Sequence, residues 1–118
     1  MRAFRLVERE VSPECREVQV EGELDLAVAG LLQDALDRVD SDCAQILIGL
    51  ENCEFIDSTG IAVIVRAWQR VGKIDGGQGD LVLCCSNDQV QRLLKITGVE
   101  SSISIHPNRD SALAQLRG

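Results

Sequence analysis

The sequence predicts an α/β fold, a central mixed β-sheet covered by about four α-helices, in one domain spanning residues 1–118. Three observations lead there. Two continuous apolar runs, Gln45-Ile46-Leu47-Ile48-Gly49-Leu50 and Leu81-Val82-Leu83-Cys84-Cys85, have the composition of strands covered on both faces. Other stretches carry the i, i+3, i+4 apolar spacing of amphipathic helices. The two patterns alternate along the chain as ββαβαβαβα, the order of a sheet layered with helices. At 118 residues the chain can bury one real core but not two.

Residues 4–11 and 15–24 read as two strands joined by a turn at Ser12-Pro13-Glu14, a hairpin. In the second strand Val18 and Val20 alternate with Glu17, Gln19 and Glu21, the period-2 pattern of a half-buried strand. Asp25 is placed to cap a helix reaching about residue 39, with Val28, Leu31, Leu32, Ala35, Leu36 and Val39 on its buried stripe. The apolar run 45–50 is the central strand. A second helix follows Asp57-Ser58-Thr59-Gly60 and runs to about residue 71. Its apolar face is Ile61, Ile64, Val65, Trp68 and Val71, with Trp68 as a core anchor and Arg66, Gln69 and Arg70 on the other side.

Residues 72–79 hold four glycines and read as a mobile loop. Within it Gly76-Gly77-Gln78-Gly79 lacks the G-x-x-x-x-G-K-[ST] spacing of a phosphate loop. After the strand at 81–85, Ser86-Asn87-Asp88 supplies cap residues for a third helix that ends at Thr97-Gly98, where the glycine is placed as a C-cap. Residues 103–105 are a short final strand. Asn108-Arg109-Asp110 leads into a last helix over 111–116.

Composition then narrows function. Twelve basic against 19 acidic residues give a net charge of −7, which repels nucleic acid and anionic membranes. No basic stripe with interleaved aromatics is present, so nucleic acid is not an expected partner. Residues 1–6 lead into charged residues rather than a secretory core, and the longest apolar run, 61–65, is far short of a membrane span. The five cysteines, Cys15, Cys43, Cys53, Cys84 and Cys85, form no C-x-x-C pair, and His106 is remote from them in sequence. An odd, unspaced set suits a reducing, cytoplasmic setting and buried core thiols. No metal site and no cofactor are expected.

Asp57-Ser58-Thr59-Gly60 is the segment that could carry chemistry. A helix start exposes unpaired N–H groups and a partial positive charge. Asp, Ser and Thr each satisfy such groups, so plain capping is one reading. Three such residues followed by glycine exceed what a cap requires, and Gly60 leaves the backbone open to approach by another molecule. Phosphate on Ser58 would add roughly −1.5 to −2 charges at pH 7. The helix start would partly stabilise that charge, and Asp57 would oppose it. From the residues alone, capping and modification both remain open. No histidine or lysine neighbours the hydroxyls to activate them, so the chain reads as a substrate or binding protein and not as an enzyme, with no catalytic residues of its own.

Three segments resemble the STAS domain family of bacterial anti-sigma factor antagonists. Glu21-Gly22-Glu23-Leu24-Asp25-Leu26 resembles the family's G-E-L-D entry to its first helix. Phe55-Ile56-Asp57-Ser58-Thr59-Gly60-Ile61 resembles its F-I-D-S-[ST]-G-L phosphorylation motif. Residues 77–85 and then Val90 through Val99 resemble the later strand and the V-x-x-L-L-x-x-T-G-[LV] helix. The resemblance implies that an anti-sigma factor serine kinase phosphorylates Ser58, in preference to Thr59. It also implies that the unphosphorylated chain binds that kinase and frees its sigma factor, and that a metal-dependent serine phosphatase resets the cycle. Asp25, Asp57, Thr59, Gly60 and Ile61 would then border the partner. The alternative it offers is a non-phosphorylated STAS subunit of a larger assembly, a stress-signalling scaffold or lipid-transport complex. The chain departs from the family pattern at Gly30 (often Pro), at Gly49 (often an Asp, here an acid lost near the site) and at Ala62 (often Gly).

Overall fold

In the computed structural model, which describes residues 3–38, 45–72 and 80–117, strands Arg5–Ser12 (β1) and Cys15–Leu24 (β2) form the expected antiparallel hairpin. Strand β2 then pairs in parallel with Gln45–Ile56 (β3), which pairs in parallel with Asp80–Cys84 (β4), which pairs in parallel with Ile105–His106 (β5). The strands lie in chain order across one five-stranded sheet, mixed as expected. The helices among the described residues are Ala29–Asp37 (α1), Ser58–Val71 (α2), Asp88–Ile96 (α3) and Arg109–Arg117 (α4). The loop expected at 72–79 lies outside the described residues from 73 onward.

Alternation along the strands divides the core between the two sheet faces. Val18, Val20, Ile46, Ile48, Leu50, Leu81 and Leu83 face α1, α2 and α3, where they meet Leu32, Leu36, Ile64, Ala67, Val90 and Leu94. Cys15, Leu47, Val82 and Cys84 face the other way, toward Ala112, Leu113 and Leu116 of α4. Trp68 packs half-buried against the larger of these clusters. Cys15, Cys53, Cys84 and Cys85 are buried thiols, while Cys43 lies outside the described residues. Burial pushes Cys53 up to about 11 and Cys84 to about 12, which leaves both protonated and inert at neutral pH.

Several boundaries differ from the sequence expectation. Strand β3 continues to Ile56 because β2 keeps pairing with it after β4 has ended. Helix α1 starts at Ala29, after a turn, and Leu31 of its expected buried stripe is 53% exposed. Ile103 is buried, but it follows a 3-10 turn at Val99–Ser101, and the strand begins two residues later. Gly98 ends α3 as expected, with φ of 81°, a left-handed conformation that glycine adopts without a Cβ penalty. Helix α4 begins at Arg109, two residues early, and the Asn108 carboxamide oxygen accepts from the Ser111 N–H at 2.9 Å.

The largest correction concerns Glu17, expected on the outer side of a half-buried strand. It is the one buried charged side chain among the described residues, with no exposed surface, and Arg109 at the start of α4 reaches over to it. Arg109 Nε donates to both of its oxygens at 3.1 and 3.0 Å, and Gln19 Nε2 donates at 2.5 Å. Gly49 belongs to this neighbourhood. A Cβ there would lie 2.1 to 2.4 Å from the Gln19 carboxamide, so the missing side chain makes room for Gln19. The acid lost at position 49 is therefore lost from the α4 face of the sheet.

Candidate functional site

Strands β2 and β3 end side by side, Leu24 opposite Ile56, and each leads straight into a turn or helix. The pairing is extended by one backbone bond, Asp57 N–H to Leu24 O at 3.1 Å. Asp57 itself is extended, with φ −110° and ψ −177°, and caps α2. Its Oδ1 accepts from the N–H groups of Thr59 (3.0 Å) and Gly60 (3.1 Å) and from the Thr59 hydroxyl (2.5 Å). Its Oδ2 accepts from the Leu26 N–H at 3.0 Å, across a sequence separation of 31. Partial burial pushes the Asp57 carboxyl up, but the Thr59 hydroxyl and the N–H groups of Gly60, Leu26 and Thr59 outweigh it and hold it below the ordinary carboxylate range.

Two adjacent hydroxyls thus end in different states. Ser58 is the first residue of α2 and exposed, and its hydroxyl makes no hydrogen bond with the described residues. Thr59 is half-buried and its hydroxyl is spent on Asp57. Among the described residues, Ser58 is the member of the pair left exposed and unbonded.

Two of the residues expected to border a partner point inward instead. Gly60 is buried, and a Cβ on it would stand 2.7 Å from Leu24 Cγ and 3.1 Å from Ile56 Cγ1. Its missing side chain lets the first turn of α2 settle on the core, and opens nothing to an incoming molecule. Ile61 is 7% exposed and belongs to the core. Asp25 is half-buried but does not cap α1: the residue before that helix is Val28, with no side-chain cap. Asp25 closes a turn, its Oδ1 accepting from Ala27 N–H (3.0 Å) and its carbonyl from Val28 (3.1 Å) and Ala29 (2.8 Å).

Around Ser58 the surface carries features that sequence reasoning missed. Leu26 is 74% exposed at the tip of the Asp25 turn, and Phe55 is 47% exposed at the end of β3. Strict alternation from buried Cys53 would bury Phe55. The register slips there, however: Gly22 pairs with Cys53 while Glu23 pairs with Phe55, so Glu54 is an extra residue. That bulge reverses the alternation, turning Phe55 out and Ile56 in. The bulge depends on pairing between segments 31 to 32 positions apart, Gly22 with Cys53 and Glu23 with Phe55, so no local signal announces it. Glu23, Asp25, Glu54 and Asp57 lie in the same two segments and give the surface an acidic character. His106, at the end of β5, pairs its Nε2 with Gln115 Oε1 at 2.7 Å and plays no part here.

Comparisons with known proteins agree on the family. A family model described as the STAS domain matches residues 7–112. The anti-sigma F factor antagonist of Paenibacillus polymyxa is 29% identical over 101 residues, covering 84% of each chain. Among solved structures, an anti-sigma factor antagonist from Mycobacterium paratuberculosis superposes with a TM-score of 0.87 at 22% identity, covering 98% of this chain and 96% of that one. The Bacillus cell fate determinant SpoIIAA in its phosphorylated form superposes with a TM-score of 0.72 at 17% identity, covering 98% of this chain and 100% of that one.

Proposed function

This chain belongs to the STAS domain family, and on that premise we propose that it is an anti-sigma factor antagonist switched by phosphate on Ser58. Unphosphorylated, it binds an anti-sigma factor serine kinase and releases the sigma factor that the kinase holds. Phosphorylated, it lets go. A metal-dependent serine phosphatase restores the binding form.

One observation carries the choice of Ser58: it is exposed and its hydroxyl makes no hydrogen bond with the described residues, while that of the half-buried Thr59 is donated to Asp57. Phosphoryl transfer needs a hydroxyl that can be reached in line with a nucleotide phosphate. The Ser58 Oγ would form the new bond to the γ-phosphorus as the bond to the departing ADP breaks. The hydroxyl proton would pass to a base on the kinase, since the neighbouring Asp57 carboxylate is already engaged by four donors of this chain. The added charge sits at a helix start, where it is tolerated, so it changes the surface more than the fold.

Incubation with the cognate kinase and ATP, read by intact mass, tests this. One phosphate is expected on the wild type and on Thr59→Val, and none on Ser58→Ala. A full adduct on Ser58→Ala overturns the assignment. By the same logic Ser58→Asp binds the kinase more weakly than the wild type in calorimetry.

A further inference from the structure

We propose that Asp57 is a positioning residue that clamps the Leu26 turn to the start of α2, so that an exposed apolar side chain and the Ser58 hydroxyl meet the kinase at a fixed separation. The proposal rests on the functional reading above and extends it to a residue that is not itself modified.

The geometry separates the two oxygens of this carboxylate by task. Oδ1 takes three donors, all from the first turn of α2. Capping α2 therefore needs only that oxygen. Among the described residues Oδ2 takes a single donor, the Leu26 N–H, from a different segment of the chain. Together with the Asp57 N–H to Leu24 O bond, this continues the β2–β3 ladder by one more step through a side chain. Asp25 fixes the rest of the turn from inside, through Ala27 and Val28. A leucine that is 74% exposed is unremarkable on a loose turn. Here the turn is held from both sides, so the ordering entropy of the leucine's backbone is met before a partner arrives. Docking onto it then gains apolar burial without first having to freeze the turn.

Asp57→Asn isolates the second task. Asparagine is as good an N-cap as aspartate, so its one oxygen can keep the α2 donors. Its NH2 group would then face the Leu26 N–H, donor against donor, and the clamp is lost. In kinase assays with ATP, the KM for the protein substrate is expected to rise about tenfold, the factor that ordering one backbone residue represents, with kcat retained. Leu26→Ala is expected to raise KM comparably, yet to add at most about twofold in the Asp57→Asn background, since Asp57 acts through Leu26. A KM within about twofold of wild type for Asp57→Asn, additive effects in that cycle, or a loss confined to kcat overturns the proposal. Should Asp57→Asn fail to fold, amide exchange on the wild-type chain decides: a protected Leu26 N–H supports the clamp, and exchange at the rate of an unbonded amide overturns it. A wild-type chain that the kinase leaves unmodified overturns the earlier reading and this one together. Wild type modified, with Asp57→Asn indistinguishable from it, overturns this inference alone.

Discussion

Glu17 and Asp57 are both carboxylates surrounded by hydrogen-bond donors, and both are held below the ordinary carboxylate range. Burial pushes each of them up; donors win in each case, Arg109 and Gln19 at Glu17, Thr59, Gly60 and Leu26 at Asp57. What differs is where the donors come from. Glu17 is fully buried and is matched by a cation from the start of α4, so its bonds fasten a helix to the sheet. Asp57 sits at the strand ends and is matched by backbone N–H groups and a hydroxyl, so its bonds shape a surface. A perturbed carboxylate does not by itself mark a functional site. The source of its donors and its access to solvent separate the anchor from the site.

Removing the cation should show the anchor most strongly. Arg109→Ala leaves Glu17 with Gln19 as its one hydrogen-bond donor among the described residues and Arg9 as the nearby cation. Breaking a fully buried pair costs about 3 to 5 kcal/mol. Arg109 is 39% exposed, so water can partly replace it, and we expect about 2 kcal/mol in urea unfolding. Phosphorylation by the kinase should be unchanged under conditions where the variant is folded. A loss of phosphorylation without a loss of stability would break the contrast, because the sealed carboxylate would then be serving the site.

Acid should produce a smaller effect of the same origin. Both carboxyls have folded-state values below their unfolded ones, so both contribute stability above the ordinary carboxylate range, roughly pH 4, and lose it as pH falls through their lower folded values. Protonation neutralises Glu17 and never strands it as an unpaired charge, so the loss is gentler than that of Arg109→Ala. Thermal midpoints are expected to be flat from pH 7 to 5 and to decline below pH 4. Glu17→Gln should start lower and decline less. Equal slopes for Glu17→Gln and wild type would remove Glu17 from the account.

Much of this contrast was hidden from the sequence, and the reasons are specific. Local periodicity was enough for the strand and helix order, the apolar runs at 45–50 and 81–85, and the Asn87 and Gly98 ends of α3, because each depends on neighbours in the chain. The Asp57-Ser58 step was legible for the same reason: cap and hydroxyl lie within a few residues. Glu17 was not legible, since alternation shows only that a strand has two faces, and whether a cation meets the polar one depends on a contact 92 residues away. The two aspartates exchange roles similarly. Asp25 looks like a helix cap and closes a turn, while Asp57 looks like a local cap and also reaches Leu26. Gly60 reads as open backbone, but its open side faces Leu24. In each of these cases the missing information is which distant segment occupies the neighbouring space.

The smallest expected effect bears on the surface half of the comparison. Ser58 is exposed, and its hydroxyl makes no hydrogen bond with the described residues, so Ser58→Ala should change unfolding free energy by less than about 0.5 kcal/mol. Ser58→Asp should be equally mild for a different reason. A negative charge in the first turn of a helix gains roughly 0.3 to 1 kcal/mol from the dipole, and repulsion from the ionised Asp57 beside it offsets that gain. The pair of variants therefore separates two meanings of a tolerant position. If both are neutral in urea unfolding while Ser58→Asp alone loses kinase affinity, charge at this site is read by the partner and not by the fold. If Ser58→Asp instead destabilises the chain by more than about 1 kcal/mol, its repulsion of Asp57 has reached the cap and the Leu26 bond. Asp57 would then be an anchor like Glu17, and the distinction between a sealed carboxylate and a presenting one would fail at the point where it matters most.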